Sequence, residues 1–77
     1  MFLPKLKNLR EDHDLTQQYV ANYLKINRVV YNRYEKGTRE IPISLLLKLS
    51  LLYQVSIDYI VDNPSHKKEH IEKGISK

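Results

Sequence analysis

The chain reads as an all-α protein, a compact bundle of five short helices, and three observations predict it. Apolar residues recur at spacings of three and four along the first sixty or so positions, the period of a helix face. The runs are punctuated by residues that start or stop helices: Thr16, Asn27 and Ser56 as N-caps, Pro42 as an opener, Gly37 as a terminator. No stretch alternates with the period of two that a half-buried strand requires. With 77 residues and 42% hydrophobic composition there is room for one domain. A domain of this size buries only about 60% of its unfolded surface, so its core must be dense. The chain has no cysteine, so neither a disulfide nor a thiolate metal site can stabilise it and helix packing must.

The elements follow in order. Leu3, Leu6, Leu9 and His13 share one face of a first helix that tolerates Pro4 at its start and ends near Asp12–Asp14. Thr16, with Leu15 before it as a hydrophobic staple, opens a second helix that buries Val20, Ala21 and Leu24. Lys25-Ile26-Asn27 is short enough only for a tight turn, with Asn27 capping a third helix from Arg28 to Lys36. That helix carries Val30, Tyr31 and Tyr34 as its apolar stripe and stops at Gly37. Pro42 opens a fourth helix through Tyr53, with Ile43, Leu46, Leu47, Ser50 and Tyr53 expected on its core side. Ser56 caps a short fifth helix, Ile57–Val61, and Asn63-Pro64 ends it. Residues 1–63 are thus expected to form the domain, and 64–77, rich in lysine and without a sustained apolar stripe, a polar basic tail.

The net charge of +4 is modest, and its placement says more than its size. Lys25, Arg28, Arg33, Lys36 and Arg39 face only Glu35 and Glu40 within one short segment, a local +3. The remainder of 1–63 is close to balanced, and the tail adds +2. Such focusing is what a chain docking on phosphate needs, although an ordinary solvated face would show it as well. Apolar runs such as Leu45–Leu47 fall far short of the roughly 20 residues of a membrane span. No basic stretch followed by an apolar signal core opens the chain. The expectation is a soluble, cytoplasmic protein without membrane association.

Two helices joined by a turn of about three residues can present the second helix to a DNA groove. Ala21 is small enough to let them cross closely, Ile26 anchors the turn, and Tyr31 and Tyr34 hold the second helix from behind. Arg28, Val29, Asn32 and Arg33 are left facing outward. Arginine can bond guanine O6 and N7, asparagine can pair with adenine, and valine can touch a thymine methyl. The partner so predicted is double-stranded DNA.

The ordered set Leu15-Thr16-Gln17, Ala21, Leu24, Ile26-Asn27, Tyr34-Glu35-Lys36-Gly37, Ile43, Leu46-Leu47-Lys48-Leu49 and Val55-Ser56-Ile57-Asp58-Tyr59 resembles the Cro/C1-type (phage-repressor-like, XRE-type) helix-turn-helix family over about residues 2–62. The resemblance implies a lambda-repressor-like DNA-binding domain and a transcriptional regulator, a repressor, reading the major groove with helix 3. It implies base contacts from Arg28, Val29, Asn32 and Arg33. Phosphate contacts would come from Thr16, through the helix-start amides beside it, and from Gln17, Lys36, Thr38 and Arg39. It further implies a buried Arg10–Glu35 ion pair and dimers formed near the fourth and fifth helices. One departure stands out: Lys25 occupies a turn position where the family carries glycine in a left-handed conformation, at a cost on the order of 1 kcal/mol.

Other features read more plainly. Tyr19 and Tyr23, four apart, can pack locally or meet DNA backbone or a partner. His66 and His70 have metal-pair spacing without a third ligand, and His13 lacks a nucleophile or pocket, so neither a metal, a cofactor, a small-molecule ligand nor an enzyme is expected. Helix 4 is apolar almost all round, leaving Leu45, Leu51 and Leu52 as a candidate homodimer interface. A second class of function stays open on the same fold: a protein-interaction partner, such as an antitoxin or a regulator's antagonist.

Overall fold

The computed structural model describes residues 2–62, which form five helices and no strand. These are α1 (Pro4–Asp12), α2 (Gln17–Leu24), α3 (Arg28–Lys36), α4 (Ile43–Tyr53) and α5 (Ile57–Val61). The expected tail at 64–77, with His66 and His70, lies outside the described residues.

Side-chain caps set three of the starts. Thr16 Oγ1 accepts from the Tyr19 amide at 3.0 Å, Asn27 Oδ1 from Val29 at 2.6 Å, and Ser56 Oγ from Tyr59 at 3.0 Å. Each satisfies a helix-start N–H that has no carbonyl one turn back. Pro42 acts differently from the expectation: it is the residue before the helix, and its carbonyl accepts from Leu45 and Leu46, both at 3.1 Å. Left-handed residues close three helices, namely Lys25 (φ 60°), Gly37 (φ 77°) and Gln54 (φ 55°). Asp14, also left-handed (φ 57°), turns the chain between α1 and α2. At Gly37 glycine is needed twice over, since a Cβ there would stand 2.9 Å from the Phe2 Cα.

The core gathers one face of every helix: Leu3 just before α1, Leu6 and Leu9 on it, then Val20, Ala21, Leu24, Tyr31, Tyr34, Leu46, Leu49, Tyr53 and Ile60. α2 packs on α3, α4 on α5, and α1 on both α3 and α5. Leu15, Ile26 and Val30 pack around the core as half-buried residues.

Helix α4 departs from expectation. Leu46 and Tyr53 are buried and Ser50 is half-buried, donating to the Val55 carbonyl, but Ile43 and Leu47 are 63% and 52% exposed. Leu49, not assigned to the core from sequence, is fully buried. Leu45 and Leu52, expected outside, pack half-buried against the core, whereas Leu51 is 75% exposed. The docking of α4 on α5 turns the helix so that 46, 49 and 53 point inward with 45 and 52 at their flanks. Ile43, Leu47 and Leu51, four apart, are left as one outward stripe. His13 also differs: rather than continuing the α1 face, it caps the helix, exposed, with Nδ1 2.9 Å from the Leu9 carbonyl and its ring 5.0 Å from that of Tyr53.

Candidate nucleic-acid interface

Helix α3 is held from one side and open on the other. Tyr31, Tyr34 and Glu35 are buried, while Arg28, Val29, Arg33 and Lys36 are exposed and Asn32 is half-buried among them. Positions 29, 32, 33 and 36 recur at helical spacing, so they form one continuous face. The turn before α3 has the expected geometry. Lys25 takes the left-handed conformation while its N–H bonds the Asn22 carbonyl at 3.0 Å, and the Ile26 N–H reaches Ala21 at 2.9 Å. Ala21 is fully buried on α2, which packs on α3.

Glu35 is fastened from behind. Arg10 Nε donates to its Oε2 at 2.6 Å and Nη2 to its Oε1 at 3.3 Å, with side chains 12% and 4% exposed. Arg10 Nη1 also donates to the Leu15 carbonyl at 2.9 Å, tying α1 to the loop before α2. Burial alone would raise the Glu35 carboxyl, but hydrogen bonds led by Arg10 outweigh it and hold it below its ordinary value. Reciprocally, the Glu35 carboxylate pushes the Arg10 guanidinium further up. The expected ion pair is therefore present, bidentate and fully ionised at neutral pH.

Gln17 extends this arrangement in a way sequence did not reveal. Its Nε2 donates to Glu35 Oε1 and to Asn32 Oδ1, each at 3.0 Å. Gln17, Asn32, Glu35 and Arg10 thereby line one open groove, together with Lys7 and Lys36. No local signal could have disclosed the link, because Gln17 and Asn32 meet only once α2 and α3 have crossed. Lys7, on α1, reaches the same groove beside Phe2 and Glu11 for the same reason.

The remaining expected contact residues lie at the start of α2 and past the end of α3. Thr16 caps α2, next in sequence to Gln17. Thr38 is exposed past Gly37, its N–H and Oγ1 both directed at the Arg33 carbonyl at 3.1 and 3.4 Å, and Arg39 follows it, exposed. Tyr31 is core, as expected, and its buried hydroxyl titrates far above the ordinary tyrosine range through burial. Burial likewise pushes Tyr53 up to about 12. Tyr23 donates its hydroxyl to the Lys48 carbonyl at 3.0 Å, linking α2 to α4, whereas Tyr19 stays exposed. Among the described residues no helix is long and apolar enough to cross a membrane, and no group of His, Asp or Glu is arranged to hold a metal.

A family model described as helix-turn-helix matches residues 6–60. The chain is 40% identical over 68 residues to the uncharacterized HTH-type transcriptional regulator YqaE of Bacillus subtilis (strain 168), covering 88% of this chain and 59% of that one. It is 36% identical over 76 residues to the cryptic phage CTXphi transcriptional repressor RstR of Vibrio cholerae, covering 97% and 68%. It is 39% identical over 67 residues to the HTH-type transcriptional regulator ImmR of Bacillus subtilis (strain 168), covering 84% and 53%. The chain thus spans little more than half the length of YqaE and ImmR. A crystal structure of a transcriptional regulator from Listeria innocua superposes with a TM-score of 0.71 at 22% identity, covering 95% of this chain and 74% of that one, a likeness of fold.

Proposed function

Since the chain belongs to the helix-turn-helix family, we propose that it is a DNA-binding transcriptional regulator, a repressor, that reads the major groove with α3. The observation that carries this is the two-sided character of α3. Its buried Tyr31, Tyr34 and Glu35 hold the helix rigidly, and its open face carries Arg28, Val29, Asn32, Arg33 and Lys36. In this reading Arg28, Val29, Asn32 and Arg33 meet base edges, while Lys36, Thr38 and Arg39 grip phosphates beyond the end of the helix. At the start of α2 the phosphate meets the first amides, beside Thr16 and at Gln17, which have no intrahelical carbonyl to bond. The protein works in the cytoplasm as a homodimer, because one such helix buries too little for tight specific binding and two half-sites about 34–36 Å apart are the usual remedy. The exposed stripe Ile43, Leu47 and Leu51 is the surface we assign to pairing, with Leu45 and Leu52 supporting it from the core side.

Titration of duplex DNA against salt tests the reading. Each phosphate neutralised by Lys or Arg contributes a log–log slope of about −0.9. Affinity should fall clearly between low and physiological salt. Affinity that stays flat over this range would remove the assignment. An antitoxin-like reading, in which the α4 stripe binds a different protein, predicts instead a mixed complex and little salt-dependent DNA binding.

A further inference from the structure

The hydrogen bonds linking Arg10, Glu35, Gln17 and Asn32 have a direction. A guanidinium can only donate, so the two Glu35 oxygens it faces accept from it. An ionised carboxylate can only accept, so the Gln17 atom 3.0 Å from Glu35 Oε1 is the amide nitrogen. That nitrogen has two hydrogens, and the second goes to the Asn32 side chain, also at 3.0 Å. The Asn32 atom turned towards α2 must therefore be its carbonyl oxygen. Both Nε2 hydrogens of Gln17 are thereby engaged, and Asn32 keeps both hydrogens of its NH₂ but one lone pair of its oxygen.

We propose that this relay makes Asn32 a donor towards DNA, so that it selects guanine over adenine at the base pair it meets. A bidentate grip on adenine needs the asparagine oxygen to accept from N6 while its nitrogen donates to N7, and here the oxygen is turned towards Gln17 with one of its two lone pairs taken, whereas both NH₂ hydrogens are open. Guanine is the base that shows two adjacent acceptors, N7 and O6, and no donor on its own major-groove edge, which suits an NH₂ group with two hydrogens. Gln17 acts as a positioning residue in this scheme: it sets which end of Asn32 is offered. The inference rests on the reading of α3 as the helix that enters the groove.

The test is selection of bound sites from random duplex DNA by the full chain, the wild type beside Asn32→Ala and Gln17→Met. Asn32→Ala should relax preference at one base pair, which identifies the pair Asn32 reads. In the wild type that pair should be G·C; a strong preference for A·T overturns the proposal while leaving DNA reading intact. Gln17→Met removes the donor and frees the Asn32 oxygen, and should move preference at that pair towards A·T by about fivefold or more. An unchanged G·C preference in a folded Gln17→Met protein overturns the positioning role. Replacing the guanine by 7-deazaguanine asks the same question without altering the protein. It should weaken the wild type by about fivefold and Asn32→Ala not at all; equal weakening of both counts against the proposal. If Asn32→Ala relaxes no position, Asn32 reads no base and the proposal falls alone. If the wild type binds no duplex DNA, the reading of α3 falls with it.

Discussion

Lys25 holds φ 60° in the turn between α2 and α3, a conformation that glycine adopts freely and a Cβ disfavours. Lys25→Gly should therefore raise stability by about 0.5–1 kcal/mol, offset in part by the looser unfolded chain. Thermal melts check it, and a lowered melting temperature would count against the turn geometry. Glu35 makes a prediction of opposite character. Its carboxyl sits below its ordinary value of 4.5, because the hydrogen bonds from Arg10 and Gln17 outweigh desolvation. A depressed carboxylate contributes stability that is fully present above the unfolded value and lost as pH falls through the folded one. The melting temperature should accordingly hold through neutral pH and drop below about 4.5. Glu35→Gln should remove that part of the acid dependence. At neutral pH it should cost roughly 2–3 kcal/mol, less than the ~3–5 kcal/mol of a fully buried pair because Arg10 keeps some exposure and its bond to Leu15.

The elements divide the work of a binding surface between them. In the reading proposed above, α3 supplies base-facing side chains and the segment after Gly37 supplies groups that meet the duplex backbone. Arg28→Ala or Arg33→Ala should cost about 1–3 kcal/mol on a specific site and relax base preference. Arg39→Ala should weaken specific and non-specific duplexes about equally. Binding measured on matched and mismatched duplexes checks the division; sequence preference that shifts with Arg39 but not with Arg33 would reverse it. Helix α4 has a different task. Its inner residues Leu46, Leu49 and Tyr53 close the core, and its outer stripe Ile43, Leu47 and Leu51 is left uncovered in a single copy.

At the scale of the whole molecule, the proposed role of that stripe is in assembly. Leu47→Ser combined with Leu51→Ser should give a folded monomer with normal helical content and far weaker binding to palindromic DNA, since both residues are more than half exposed. Leu52→Ser should instead lower stability, because Leu52 packs against the core. Light scattering and circular dichroism distinguish the cases: a double variant that remains dimeric places the interface elsewhere, and one that unfolds means the leucines support the fold. The contrast between Leu51 and Leu52, adjacent in sequence, depends wholly on how α4 is rotated against α5.

Local chemistry was sufficient to read the five helices, their caps at Thr16, Asn27 and Ser56, the stop at Gly37 and the outward set Arg28, Val29 and Arg33. Each of these depends on residues within one turn of helix or on a clear apolar–polar contrast along it, and such information is carried by neighbours in the chain. The Arg10–Glu35 pair was expected through a family resemblance rather than through spacing. The inner face of α4 was not legible, because a helix apolar nearly all round has no contrast from which to choose a face; the pattern assigns Leu49 to neither side and puts Ile43 and Leu47 inside. The Gln17 link to Asn32 and Glu35 was equally hidden. It joins α2 to α3 across 15 and 18 positions of sequence, so it exists only once the two helices pack together, and the offered end of Asn32 is set by tertiary structure.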